Sequence, residues 1–324
     1  MLPLHRIVVP TPYAVGPVNA YLIASRPYSL VDPGPDTREA REVLQKELNR
    51  LGVPLAEIER ILLTHFHSDH SGLAHWIHSL TGAKVYIHPY DLKKLSGKND
   101  FIGERMPFIR EAGTPAEIIA EVLKDGDKLP RPFVPPGGAI TATDGTEIPF
   151  EGGSLKAFHF PGHATGHLCF YDPAGKSLIS GDFLLPRITP NPFLERDPVH
   201  PDRRAPSLRH YLQGLDRLTS MDIRRVWPGH GEVIDDYRQV VAMVREHHQA
   251  RFDALVDLLG KYEPCSAFEL SRITYPDLKG FNIFLGLSEV QAHLDVLVEE
   301  GRVKVEKKDG VAYYFLSKYS VKPL

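Results

Sequence analysis

The sequence predicts a layered α/β fold followed by a smaller C-terminal module of helices and a hairpin. Three observations carry that reading. Short β-prone runs alternate with amphipathic stretches up to about residue 90, several strand-like runs end in glycine-bearing motifs, and the pattern changes near residue 245. The 324 residues, 42% hydrophobic and 24% charged, supply ample core material and exceed one small domain. Lys+Arg 38 against Asp+Glu 41 gives a net charge of −3, which excludes a chain-wide binder of polyanions or membrane surfaces. Two cysteines, Cys169 and Cys265, stand against 16 histidines. A disulfide framework and a thiolate zinc site are therefore excluded, and any metal must be held by imidazole and carboxylate. No apolar run reaches the length of a membrane span, and the start MLPLHRIVVP lacks the layout of a signal peptide. No membrane contact and a cytoplasmic location are expected.

In chain order, Leu4–Val9, Val18–Ala24 and Tyr28–Val31 read as strands separated by Pro and Gly. Residues 36–51 read as a helix capped by Asp36, with Glu39 three residues on and Val43, Leu44, Leu48 and Leu51 as its apolar stripe. Arg60–Leu63 is a buried-looking strand, 69–80 one helix with Leu73, Trp76, Ile77 and Leu80 on a face, and Val85–Ile87 a strand. Residues 90–131 break the rhythm and read as a helical insertion forming a lid or substrate wall. Its clearest helix is capped at Thr114 and runs to Leu123. Strands follow near 147–150, 154–160, 167–171 and 177–180, then a Pro-rich stretch at 186–206 and a helix from Ser207 to Leu218. Beyond residue 245, helices at 248–260, 265–272 and 288–300 (the last capped by Ser288) precede a hairpin at 302–305 and 311–316. Three helices and a hairpin describe a winged-helix module.

The string Thr64-His65-Phe66-His67-Ser68-Asp69-His70 sits where a strand ends and a helix begins. In extended chain, residues i and i+2 point the same way, so His65 and His67 project together, and the following turn returns Asp69 and His70 to the same cavity. Pro161-Gly162-His163, Ser180-Gly181-Asp182 and Pro228-Gly229-His230 each follow a strand. Glycine beside each candidate ligand lets backbone approach closely, and strand C-terminal ends are where α/β folds collect their sites. His159, His167 and Cys169 read as structural.

These motifs resemble the metallo-β-lactamase-fold hydrolase superfamily. HxHxDH, PGHATGH, SGD and PGHG occur in the family's order, with Val31-Asp32-Pro33-Gly34 matching its early acidic turn, over roughly residues 1–240. The resemblance implies an αββα sandwich over 1–244 and a small winged-helix-like domain over 245–324. It implies that His65, His67 and His163 hold one metal and that Asp69, His70 and His230 hold another. Asp182 would bridge them, and Asp32 would orient a ligand histidine from behind. Two divalent ions are implied, Zn²⁺ first, with Mn²⁺ and Fe²⁺ as alternatives. Their shared hydroxide would attack the substrate, with Asp69 as the catalytic group that orients it or passes a proton to the leaving group.

Asp182 stands where the zinc β-lactamases carry cysteine or serine, so antibiotic hydrolysis is not expected. The carboxylate resembles instead the glyoxalase II-type thioesterases, the acyl-homoserine lactonases and the nuclease branch. The C-terminal module resembles that of the β-lactamase-like endoribonuclease. Its candidate recognition helix is acidic, however, carrying Glu289, Asp295, Glu299 and Glu300, while Lys304, Lys307 and Lys308 lie on the wing. A small-molecule ester, thioester or lactone is therefore the expected substrate. Single-stranded RNA is the alternative, and a mononuclear iron persulfide dioxygenase-type reaction the further one. The module is expected to serve structure or homo-oligomer formation. Arg187, first of a cluster with Arg196, Arg203, Arg204 and Arg209, and Phe108 in the insertion are the expected substrate contacts.

Overall fold

The computed structural model describes residues 1–95, 100–126, 128, 130–135 and 137–317. Residues 96–99, 127 and 129 of the expected insertion, and 318–324 of the expected C-terminal domain, lie outside the described residues. The chain forms two compact units. The first comprises Met1–Asn99, Pro130–Pro190 and Gly214–Val241; the second comprises Asp100–Leu129, Asn191–Gln213 and Ala242–Leu324.

The first unit is a sandwich of two sheets. One contains β1 (Leu4–Val9), β2 (Val18–Ile23), β3 (Ser29–Val31), β4 (Arg60–Leu62), β5 (Lys84–Ile87) and β6 (Ala139–Thr141), side by side in that order. The strands β1 to β3 are antiparallel, and β3 to β6 are parallel. The other sheet has the order β11-β10-β9-β8-β7, from β7 (Glu147–Phe150), β8 (Gly153–His159), β9 (Leu168–Asp172), β10 (Ser177–Gly181) and β11 (Arg225–Pro228). Only its β10–β11 pair is parallel. Between the sheets, Tyr21, Ile23, Val31 and Leu62 pack with Ile148, Leu155, Leu168, Phe170 and Ile179. Each such side chain, fully buried, contributes roughly 1.5–3 kcal/mol.

Helices cover the outer faces. On the first sheet lie α1 (Arg38–Arg50), which buries Ala40, Leu44 and Leu48, and α3 (Ala74–Thr81), which buries Ala74 and Ile77. Against the second, α7 (Ser207–Thr219) buries Leu215 and Leu218 and lays the Arg217 guanidinium over the Phe158 and Phe160 rings. The alternating pattern predicts the layered α/β character, and the family resemblance implies the sandwich.

Local chemistry corrects several expected boundaries. Thr37, not Asp36, caps α1, accepting from the Ala40 N–H at 3.1 Å. Asp36 instead takes Arg41 at 2.8 Å. The single helix expected over 69–80 is two pieces, α2 (Ser68–Ser71) and α3, and the short α4 (Pro89–Leu92) follows β5. At the break, a Cβ on Gly72 would stand 2.5 Å from the Asp36 nitrogen, and Leu73 N–H bonds Gly34 O. Only glycine allows that approach, which docks the acidic turn against the ligand helix.

In the second unit, α5 (Met106–Glu111) and α6 (Ala116–Gly126) come from the insertion. The remaining elements are most of α8 (Tyr237–Tyr262), α9 (Ala267–Thr274), α10 (Phe281–Glu299) and an antiparallel sheet of order β12-β14-β13, from β12 (Cys265–Ser266), β13 (Val303–Lys308) and β14 (Val311–Leu316). Helix α8 begins well before 248, where Asp236 accepts from the Gln239 N–H. The chain expected to be helical from 265 instead starts as strand, and Ser266 with Glu269 forms a capping box for α9. Ser288 lies inside α10 rather than capping it, its hydroxyl bonded back to Phe284 O at 2.9 Å. Thr114 Oγ1 has no hydrogen-bond partner among the described residues, so it does not cap α6. The insertion packs within this unit: Phe268 N–H bonds Ala112 O, Gly280 N–H bonds Glu121, and buried Arg105 pairs with buried Glu195 at 2.7 Å.

Candidate metal centre

Parallel pairing sets the strand ends side by side. Just past β3, Asp32 adopts φ 47 and is buried. Its Oδ1 accepts from the Thr64 N–H at 2.8 Å, and its Oδ2 accepts from the Thr64 hydroxyl at 2.6 Å and from His70 Nδ1 at 2.9 Å. Left-handed backbone is costly for a residue with a Cβ, and here three donors to one carboxylate hold it. Strands β10 and β11 deliver Asp182 and His230 in the same way. Asn19 N–H to Gly229 O (2.7 Å) and the Tyr21 hydroxyl to Pro228 O (2.6 Å) tie the second sheet's end to β2 of the first.

The hydrogen bonds fix which ring nitrogens face inward. Thr64 spends its hydroxyl proton on Asp32, so it accepts from His65 Nδ1–H at 3.0 Å and leaves the lone pair on His65 Nε2. Likewise His230 Nδ1–H donates to Pro17 O at 2.8 Å, turning its Nε2 to the cavity. His67 Nδ1 lies 2.9 Å from His65 Nε2 and 3.0 Å from His163 Nε2. Three groups result: His65, His67 and His163; His65, His70 and Asp182; Asp69, His70 and His230. In each, the ligand atoms lie within 4.8 Å of one another.

Buried polar atoms test whether a cation fits. His70 Nε2, His230 Nε2 and Asp182 Oδ1 have no hydrogen-bond partner among the described residues. Atoms of this kind are costly to bury unless something else satisfies them. Imidazole nitrogen and carboxylate oxygen converging on one space are a donor set for divalent metal, and the residues fit one or two such ions. Burial and the neighbouring imidazoles hold His65 well below the usual histidine range, leaving a neutral ligand. Burial also opposes charge on His70, but Asp182, Asp69 and Asp32 outweigh it and raise its pKa well above normal.

A family model for the metallo-beta-lactamase superfamily matches residues 13–230. The chain belongs to the metallo-beta-lactamase superfamily. It is 30% identical over 317 residues to "Probable metallo-hydrolase YqjP" of Bacillus subtilis, across 95% of this chain and 96% of that protein. A metallo-beta-lactamase family protein from Thermus thermophilus is similar in structure, with TM-score 0.80 and 32% identity over 97% of this chain and 98% of that one. A beta-lactamase domain protein from Burkholderia ambifaria gives TM-score 0.79 and 25% identity over 97% and 92%. With these ligand groups, this superfamily member is a metal-dependent hydrolase.

The structure brings together His65, His67, Asp69, His70, His163, Asp182 and His230, with Asp32 behind His70. Arg187 is exposed in the first unit. Phe108 is buried in the second, lining a cavity of about 320 Å³ with Arg204 and Asp295. Several supports of the superfamily site were not singled out in the sequence. His167, read there as structural, is fully buried and accepts from the Asp182 N–H at 3.2 Å. Thr64 joins Asp32 to His65. Buried Asp91 accepts from the Phe66 and Gly166 N–H groups at 3.2 and 3.0 Å, clamping two ligand loops, while Lys94 bridges it to Thr165. Tyr13 bonds Ser68 at 2.7 Å, and burial raises its pKa, so it remains a phenol. For His167 the signal was its place in PGHATGH; a lone Asp in Pro-Tyr-Asp-Leu offers none.

His88, stacked on His159 at 4.2 Å, should make the fold acid-sensitive. Burial, with His159 and Lys94 nearby, lowers its pKa to about 3. The folded form therefore binds a proton less readily than the unfolded chain, and stability present above pH 6.5 is lost as pH falls towards 3. The slope from this one group reaches about 1.4 kcal/mol per pH unit. His88→Asn should flatten the decline in urea midpoint between about pH 6.5 and pH 4.5; an unchanged slope would exclude His88 as its source.

Proposed function

We propose that the chain uses two divalent ions to hydrolyse a small ester, thioester or lactone. The observation that carries this is the position of Asp182. Its Oδ1 lies 3.3 Å from His70 Nε2, while its Oδ2 lies 3.6 Å from His163 Nε2 and 3.7 Å from His230 Nε2, so one carboxylate reaches both ligand sets. In this reading His65, His67 and His163 would hold one ion, Asp69, His70 and His230 would hold the other, and Asp182 would be shared. Bound there, two such ions would supply a lowered water pKa and a sink for charge on the substrate oxygen. The chain's own groups do the rest. Asp32 and Thr64 keep His70 and His65 in the tautomers that offer Nε2. Asp69, less buried than His70 and His230 and with Oδ2 3.4 Å from His230 Nε2, accepts a proton from the attacking water and returns it to the leaving group.

A carboxylate at position 182 supports the branches of thioesterases, lactonases and nucleases over the zinc β-lactamases. The order α8, β12, α9, α10, β13, β14 supports a winged-helix module with a structural role. On α10, Asp295 is held by Arg204 at 2.7 Å and Glu299 by Arg209 at 2.9 Å, and most of the helix is buried. A helix so engaged favours a small substrate over nucleic acid. The test is a panel of thioesters, lactones and single-stranded RNA, assayed with zinc-, manganese- and iron-loaded protein. Hydrolysis of one of the small classes, abolished by chelation and restored by metal, is the expected result. Cleavage of RNA alone would overturn the reading.

A further inference from the structure

Helices α8 and α10 bring together a second cluster of imidazole and carboxylate side chains that the hydrolytic site does not use. His248 on α8, and Glu289 and His293 one turn apart on α10, are all buried, and one ligand atom from each lies within 4.8 Å of the others. His293 Nδ1 donates to Glu289 O at 2.7 Å, which leaves the lone pair on His293 Nε2. That nitrogen accepts from His248 Nδ1–H at 3.0 Å, so these are the two ring nitrogens that face each other. Glu289 Oε1, 3.7 Å from His293 Nδ1, is buried without a hydrogen-bond partner among the described residues.

We propose that His248, Glu289 and His293 bind a third divalent ion of the zinc class, which joins α8 to α10. Glutamate and histidine four residues apart present ligands on one helix face, and a histidine from the adjacent helix completes a facial set, an arrangement suited to helix-bundle metal sites. Two imidazoles and one carboxylate select zinc or another borderline cation over calcium or magnesium. The walls suit a structural ion: the Tyr211 ring lies 5.7 Å from that of His248, and the Phe252 ring 4.9 Å from that of His293. Arg251 is a nearby cation.

The experiment is zinc counting on full-length protein reconstituted from the chelated form, with zinc-edge anomalous diffraction from wild-type crystals. Glu289→Gln and His248→Gln should each bind one zinc fewer per chain than wild type and leave the hydrolytic rate within about 2-fold. The anomalous map should show a peak among the three side chains. Equal zinc content in the variants, or no peak there while the hydrolytic site shows one, would overturn the proposal. The wild-type map decides the question even where a variant fails to fold, and it is independent of the hydrolytic substrate.

Discussion

Asp182→Ala should lower kcat/KM by ~10³-fold or more, equivalent to about 4 kcal/mol of transition-state stabilisation. The protein should also retain less than its full metal complement. This carboxylate reaches His70 on one side and His163 and His230 on the other. Without it the ligand imidazoles remain, but no anion joins the two ligand sets. Gly229→Ala provides the same test from the neighbouring strand end, because a Cβ there would stand 2.3 Å from Asp182 Oδ1 and 2.8 Å from His70 Cε1. Both variants should keep wild-type circular dichroism. Steady-state hydrolysis and elemental analysis are the measurements, and a wild-type rate in Asp182→Ala would remove Asp182 from the mechanism.

Asp32→Ala should destabilise the metal-free protein by ~3–5 kcal/mol and weaken metal binding by ~10–100-fold. The alanine leaves the Thr64 N–H, the Thr64 hydroxyl and His70 Nδ1–H without their acceptor in a closed interior. Asp32→Asn separates the two effects. Asparagine tolerates the left-handed backbone and its carbonyl can accept, so much of the stability should survive. It carries no charge to favour the His70 orientation, however, so metal affinity should still fall. Urea unfolding of the chelated protein and competition against a zinc indicator supply the two readouts. If Asp32→Asn matches wild type in both, the carboxylate is only a turn residue.

The ligand set was legible because its geometry is local. In HxHxDH the period of a strand and the turn after it bring four side chains together within a short stretch, and each later motif marks a strand end with glycine. The strands were legible for a similar reason: β1, β7 and β14 fall where composition and turn signals place them. What the local pattern does not carry is long-range. Nothing between residues 100 and 129 announces that it packs with 191–213 and with the C-terminal stretch, because that association rests on pairs such as Arg105–Glu195 and Gly280–Glu121. Asp91 was missed because two ligand loops distant in sequence converge on it. The helix starts failed where two capping residues compete, as Asp36 and Thr37 do, or where a serine has a carbonyl behind it, as Ser288 has.

The chain gathers three carboxylates, Asp32, Asp69 and Asp182, around the single imidazole of His70. Their formal charges sum to −3. One divalent ion leaves the pocket at −1, and two leave it at +1. With both ions bound, a hydroxide held between these groups would bring the total to zero, and that total would persist as its charge passes to the carbonyl oxygen under attack. A low-dielectric cavity of this charge would therefore favour an anionic nucleophile over neutral water.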